Sequence, residues 1–290
     1  MALGADVAKL RISRLGRLAL PSLALAAAGG SLGAYVRNRV QTAHLFAPDR
    51  YPVGFWNPAA HGLDVEDVWF DAEDGTRLHG WWIESPGASG TLLYCHGNNG
   101  NITNRIAVLL DLRRLDLNIL AFDYRGYGRS EGVPFEEGLY RDVRAAWDHL
   151  IAERAALPAS ILLFGHSLGG AVAVDGALHR EVAGLVVQSS FTQVRDMART
   201  IYPGVPLHYI ARNQFRSIEK VARLAMPKLF IHGGADPTVP LPLGRTLYEG
   251  AAAPKEWYEV PRAGHSELHR HGGLRYYARL ERFVRLCLSS

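Results

Sequence analysis

The 290 residues are 48% hydrophobic and 21% charged, a balance that supports one large globular domain or two small ones and excludes a mainly disordered chain. Two cysteines, Cys95 and Cys287, exclude a disulfide framework and a four-cysteine zinc site. The net charge of +4 is gathered at the start, where residues 1–40 hold Lys9, Arg11, Arg14, Arg17, Arg37 and Arg39 against Asp6, so that the other 250 residues carry −1 and offer no phosphate-coating surface for nucleic acid.

Residues 18–36 are nineteen positions without a charge, with basic residues on both sides. As a helix they would span about 28 Å at ~1.5 Å per residue, roughly the hydrocarbon thickness of a bilayer. This N-terminal segment, 1–40, is therefore expected to be a membrane anchor. A cleaved signal peptide is the alternative, with an apolar region at 18–28 and Ala26-Ala27-Ala28 before Gly29 as the small-residue cut. An amphipathic lead-in helix is a third reading. The heavier positive flank lies upstream, which favours an inside N-terminus and a body outside the cytoplasm, or secretion if the signal is cut.

From residue 65 the chain alternates short β-rich runs with helical patterns, the signature of βαβ units around a mostly parallel sheet. The first two runs, 65–70 and 77–83, flank Asp74-Gly75 and predict an antiparallel hairpin at the leading edge. Six more follow at 91–95, 118–122, 161–165, 184–188, 228–231 and 257–260, making eight strands. Leu139, Val143, Trp147 and Leu150 predict one helix packed on the sheet, and Tyr277, Leu280, Val284 and Cys287 predict a C-terminal one. The long interval 191–225 lacks a strand and reads as a small cap inside an α/β domain over 60–288.

The pattern Gly-x-Ser-x-Gly occurs twice, at Gly165-His166-Ser167-Leu168-Gly169 and at Gly128-Arg129-Ser130-Glu131-Gly132, so the pattern alone decides nothing. A nucleophile elbow needs a strand ending at the first glycine and a helix starting at the serine, because that sharp turn lifts the hydroxyl above the sheet. Ser167 has both. Ser130 runs into Gly132-Val133-Pro134, which delays any helix, and is expected to shape a loop.

A serine hydroxyl needs a base to take its proton and a carboxylate to orient that base. After such an elbow the acid and then the histidine follow, each past a later strand. Asp236 and His265 stand at those places, with Asp123 and Glu131 as fallback acids. His232 is expected to bond locally, His166 to point inward, and His269 and His271 to lie on a helix surface. Glu267 is misplaced for a His-Glu-x-x-His site, so no metal is assigned. The oxyanion donors are expected to be the backbone N–H groups of Leu168, at a helix N-terminus, and Asn98, in the loop His96-Gly97-Asn98-Asn99-Gly100-Asn101. Asn101-Ile102-Thr103 reads as a glycosylation sequon that a glycan would turn into an obstruction, and it is discounted.

Together, His96-Gly97-Asn98, Asp123-Tyr124-Arg125-Gly126-Tyr127-Gly128, Gly165-His166-Ser167-Leu168-Gly169-Gly170, the Asp236 loop and Gly264-His265 resemble the α/β-hydrolase superfamily. Ser190-Phe191-Thr192 and the short insert after it look similar to its small-cap, often membrane-attached branch, which includes protein depalmitoylases and lysophospholipid hydrolases. The resemblance implies an α/β-hydrolase fold with an eight-stranded mostly parallel sheet, Ser167, Asp236 and His265 as its triad, and Asn98 and Leu168 as its oxyanion positions.

The expected activity is hydrolysis of a carboxylic ester or thioester through an acyl-enzyme, without metal or organic cofactor, on a small-molecule or lipid-like acyl substrate. A serine peptidase is the enzymatic alternative, since the same triad cleaves amides, and a non-catalytic binding scaffold is the other. Met197, Ile201, Tyr202, Pro203, Pro206, Tyr209 and Phe215 in the cap fit either contact with an acyl chain or packing of the cap itself.

Overall fold

The leading hairpin forms where the β-rich runs 66–71 and 77–83 flank a tight Asp-Gly turn. Strand β1 (Glu66–Asp71) pairs antiparallel with β2 (Arg77–Ile83), Asp71 facing Arg77. Gly75 takes φ 78° and Asp74 accepts from the N–H and hydroxyl of Thr76, the local bonding that makes Asp-Gly a turn former. The computed structural model describes residues 45–201 and 213–289. The segment 18–36, the cut after Ala28, and Tyr202, Pro203, Pro206 and Tyr209 of the cap lie outside the described residues. Among those described, no helix is long and apolar enough to cross a membrane.

Six further strands complete the sheet: β3 (Thr91–Cys95), β4 (Asn118–Phe122), β5 (Ile161–His166), β6 (Gly184–Gln188), β7 (Lys228–Gly233) and β8 (Lys255–Val260). Their order is β8-β7-β6-β5-β3-β4-β2-β1, parallel from β8 through β4 and antiparallel at β4–β2 and β2–β1. All eight expected strands are present. Every residue of β3, β5, β6 and β7 is buried, as expected where helices cover both faces of a parallel sheet. Even Lys228 is buried, because its ammonium donates to the carbonyls of Leu224 (2.9 Å) and Met226 (2.5 Å).

Helices α1 (Ile106–Leu112) and α7 (Leu268–Leu288) bring Ile106, Leu109, Tyr276, Leu280 and Phe283 into one core with Tyr94, Phe164 and Ile231. On α7 the buried tyrosine is Tyr276, not the expected Tyr277; two adjacent aromatics fit the same period, and Tyr276 wins the core by donating to Gln188 Oε1 at 2.6 Å. Helix α2 (Glu136–Arg154) buries Leu139, Val143 and Leu150 as the stripe predicts and packs on α3 (Leu168–His179). Trp147 is half-buried at the stripe's margin, its ring nitrogen donating to Glu181 O.

The described part of the cap holds α4 (Val194–Ile201) and α5 (Ser217–Val221). Its returning end is fastened to the first turn of α2, where Glu136 accepts from the N–H groups of Gln214 and Phe215 and from Tyr140 Oη. Phe215 is fully buried against Phe46 and Tyr140, whereas Ile201 is exposed. Helix α6 (Leu241–Gly250) packs on β7.

A segment before residue 60, which carries no periodic signal, also belongs to this unit. From Phe46 onward the chain is one compact body. Ala47–Pro48 pairs in parallel with Asn99–Gly100, and backbone bonds run from Ala47 N to Asn98 O (3.0 Å), Asp49 N to Gly100 O (3.0 Å) and Tyr51 N to Gly128 O (2.8 Å). This strap lies between the loops that follow β3 and β4.

Candidate active site

Strand order places the site. The connections leaving β3 and β5 go to β4 on one side and β6 on the other, and ligands collect at such switch points beyond the carboxyl ends of parallel strands. Ser167 sits at that point, between β5 and α3, with φ 57° and ψ −120°. This conformation is costly for a non-glycine residue, and its surroundings enforce it. Ser167 N donates to Gln188 O (2.8 Å), while Ser167 O accepts from Ser190 Oγ and Gly170 N (both 2.9 Å). The flanking glycines are required by close approach: a Cβ at Gly165 would stand 2.5 Å from Gly170 Cα, and one at Gly169 would stand 2.5 Å from the carbonyl carbon of Cys95.

The Asp236 loop follows β7. Its side chain accepts on one oxygen from Thr238 N (2.8 Å) and Val239 N (2.9 Å) and on the other from His265 Nδ1 (2.8 Å). Burial pushes this carboxyl up, but the hydrogen bond and charge of His265 together with the two N–H donors outweigh it and hold Asp236 below the usual range. His232 bonds locally, through Nε2 to Val239 O at 2.9 Å, and burial holds its pKa down.

His265 follows β8 on a loop that docks against the residue preceding Ser167. His166 Nε2 donates to His265 O at 3.1 Å, and the two rings lie 5.0 Å apart. Burial and the neighbouring His265 push the His166 pKa down to about 3, so His166 is a neutral fixture of this loop. The role of His166 in carrying the His265 loop was missed in sequence, where the two are 99 residues apart.

The loop after β3 reaches the same place. A Cβ on Gly97 would lie 3.4 Å from Ser167 Cβ and 3.2 Å from His166 Nδ1, so this backbone runs directly beside the elbow. Asn98 follows, its carbonyl accepting from Ala47 N and from Tyr127 Oη (2.8 Å). Leu168 is the first residue of α3, where an N–H has no intrahelical acceptor and the dipole favours negative charge. Thus Ser167, Asp236, His265, Asn98 and Leu168 all gather at one edge.

The other candidates fall elsewhere. Ser130 is buried in its loop, donating to Asp123 O (2.6 Å) and accepting from His79 N (2.9 Å). Asp123, a fallback acid, turns its carboxylate to accept from Ile102 N (2.9 Å), and Gly128, at φ 48°, packs against it. Glu131 is exposed. His269 lies 3.7 Å from Asp111 and His271 is exposed. Asn101 is fully buried, its side chain bonded to Thr103, Asp49 O and Val53 O, so the sequon is no surface acceptor. Cys95 is buried, and burial pushes its thiol well up.

Similarity to known proteins agrees with this geometry. Residues 86–216 match the family model described as serine aminopeptidase, S33. The alpha/beta hydrolase domain-containing protein WAV2 of Arabidopsis thaliana is 33% identical over 248 residues, covering 78% of this chain and 80% of that protein. The chain belongs to the α/β-hydrolase family. An uncharacterised protein of Mycobacterium tuberculosis (strain H37Rv) is 41% identical over 203 residues, covering 69% of this chain and 72% of its own. Among solved structures, a Pyrococcus furiosus esterase superposes with a TM-score of 0.69 at 22% identity, over 82% of this chain and 98% of that one. A puromycin hydrolase superposes with a TM-score of 0.64 at 17% identity, over 78% and 39%. These likenesses support a hydrolase built on the α/β fold.

Proposed function

We propose that this α/β hydrolase is a serine hydrolase that cleaves a carboxylic ester or thioester. The observation that carries the reading is the left-handed strand–helix elbow at Ser167, with His265 docked on the adjacent His166 and bonded to Asp236 at 2.8 Å. His265 Nδ1–H donates to the carboxylate, so Nε2 has its lone pair available for the Ser167 proton. The hydroxyl oxygen attacks the carbonyl carbon, and the oxygen that gains charge is held by Leu168 N–H and Asn98 N–H, each worth ~3 kcal/mol to the barrier. The imidazolium then gives its proton to the departing alkoxide or thiolate. Water, deprotonated by the same Nε2, releases the acid from Ser167.

The esterase neighbour supports an ester substrate; the family model's description supports amide cleavage as the second reading. A lipid-like acyl group fits the uncharged segment 18–36, which we propose attaches the chain to a membrane with the catalytic body outside the cytoplasm. Ser167→Ala tests the chemistry: turnover of p-nitrophenyl esters and fluorophosphonate labelling should both vanish with the unfolding transition unchanged, and persistent labelling refutes the assignment. A chain-length series of esters beside aminoacyl amides separates the substrates. Efficient amide cleavage would replace the ester reading with the peptidase.

A further inference from the structure

We infer that the first turn of the compact body, together with the loop after β4, is an apolar face that seats in the interface of a lipid bilayer. The inference rests on the membrane attachment proposed above for residues 18–36. Ten large apolar side chains are exposed among the described residues, and five of them fall in these two stretches: Tyr51 and Val53 at 55%, Phe55 at 45%, Val133 at 65% and Phe135 at 42%. Scattered singly, such residues need no explanation; gathered, they mark a surface that meets something.

The two stretches touch. The Arg50 guanidinium donates to Gly132 O, and Tyr51 N donates to Gly128 O at 2.8 Å. The Arg129 guanidinium lies over the rings of Tyr51 (5.0 Å) and Trp56 (4.7 Å). The turn is also held firmly. Asn101 Nδ2 donates to the carbonyls of Asp49 (3.0 Å) and Val53 (2.9 Å), and a Cβ on Gly54, at φ 114°, would stand 2.2 Å from Thr103 Oγ1. With its main chain bonded on the inner side, the turn keeps its apolar side chains out in solvent. Asn101 stands in the loop that carries Asn98, so this face adjoins the edge where Ser167, Asp236 and His265 gather.

The chain itself argues for what covers the face. The uncharged segment ends at Val36, fifteen residues before Tyr51, a stretch that spans at most ~50 Å even when fully extended at ~3.3 Å per residue. A bilayer holding that segment is therefore within reach of this turn, the first of the compact body along the chain. A tyrosine beside aliphatic and phenyl side chains is also what an interface favours, with an amphipathic ring at headgroup level and apolar tips beneath it. Arg50 and Arg129 are offset locally by Asp49 and the exposed Glu131, so apolar contact drives the seating and neutral lipid suffices.

The test uses the full-length protein reconstituted into phosphatidylcholine vesicles, with a nitrobenzoxadiazole dye on Val53→Cys, on Val133→Cys or on Leu157→Cys. Cys95 and Cys287 are buried, and burial pushes the Cys287 thiol up to about 12, so the dye reaches only the introduced thiol. Leu157 is 70% exposed but precedes β5, at the opposite end of the strands. Interfacial apolar groups sit ~5–10 Å into the headgroup–acyl boundary, so bromine on the lipid acyl chains should quench labels 53 and 133 strongly and leave label 157 unchanged. If one variant fails to fold, the other decides against label 157. Labels 53 and 133 as bright as label 157 in vesicles that carry the protein overturn the inference. Shielded emission at 53 and 133 without bromine quenching also overturns it, and assigns the face to a second copy or to another segment of this chain. Failure of the protein to float with the vesicles would instead overturn the membrane attachment beneath it, so the two failures are distinct.

Discussion

Replacing Asp236 with asparagine removes one charge and sets two hydrogen-bond demands against each other. One carboxylate oxygen accepts from Thr238 N and Val239 N, and the other from His265 Nδ1. An asparagine amide can put its oxygen in only one of these places. Facing the backbone pair with the NH2 group would leave two buried donors unpaired at ~1–3 kcal/mol each, so the amide oxygen stays with Thr238 and Val239 and the NH2 points at His265. The imidazole must then accept at Nδ1 and carry its proton on Nε2, which is the wrong tautomer to take the Ser167 proton. The expected cost is ~10⁴ in kcat, the size seen when a buried triad carboxylate becomes an amide in another serine hydrolase, or about 5 kcal/mol of transition-state stabilisation. Ester turnover and the rate of fluorophosphonate labelling should fall together, with the thermal transition within a few degrees of the parent. A folded Asp236→Asn protein within tenfold of parental kcat would refute both the tautomer argument and the role given to His265.

Three other outcomes are expected. Gly169→Ala should destabilise the fold by at least ~3 kcal/mol in urea denaturation, since the added carbon overlaps backbone at Cys95 and His96 that no side-chain movement can relieve; a midpoint equal to the parent's would contradict the packing of α3 on β3. Glu136→Ala should cost about 2 kcal/mol by releasing the N–H groups of Gln214 and Phe215, and it should expose the cap root to limited proteolysis. His166 should not titrate between pH 5 and 8 by NMR, because burial holds it neutral down to about 3. The sign follows: the unfolded chain takes up this proton near the ordinary 6.5 and the folded one near 3, so His166 makes stability fall as pH drops through that window. His166→Gln should flatten that slope, and an unchanged slope would remove His166 as its source.

Much of this was legible in sequence because burial writes itself as composition. The inner strands are continuous apolar runs, since both faces of β3, β5, β6 and β7 are covered, and each reactive residue follows a strand that ends on the same edge. The elbow could be separated from the Ser130 decoy because only one serine has a helix-forming run after it. What stayed hidden depends on partners far away in the chain. Residues 46–51 have no period, as their backbone bonds go to loops near residues 98, 100 and 128. The His166–His265 contact is of the same kind. So is the place of Asp123, since the N–H it serves belongs to Ile102, 21 residues earlier. Tyr276 and Tyr277 are equal by spacing, and only the waiting acceptor on Gln188 distinguishes them.

The strap at 46–51 also means that the start of the compact body and the candidate site share a stretch of main chain. Ala47 donates to the same Asn98 carbonyl that Tyr127 holds, one peptide beyond the N–H assigned to the oxyanion. A shortened version for expression should keep Phe46 and everything after it, because trimming to the first long strand would silence the enzyme while sparing most of its core.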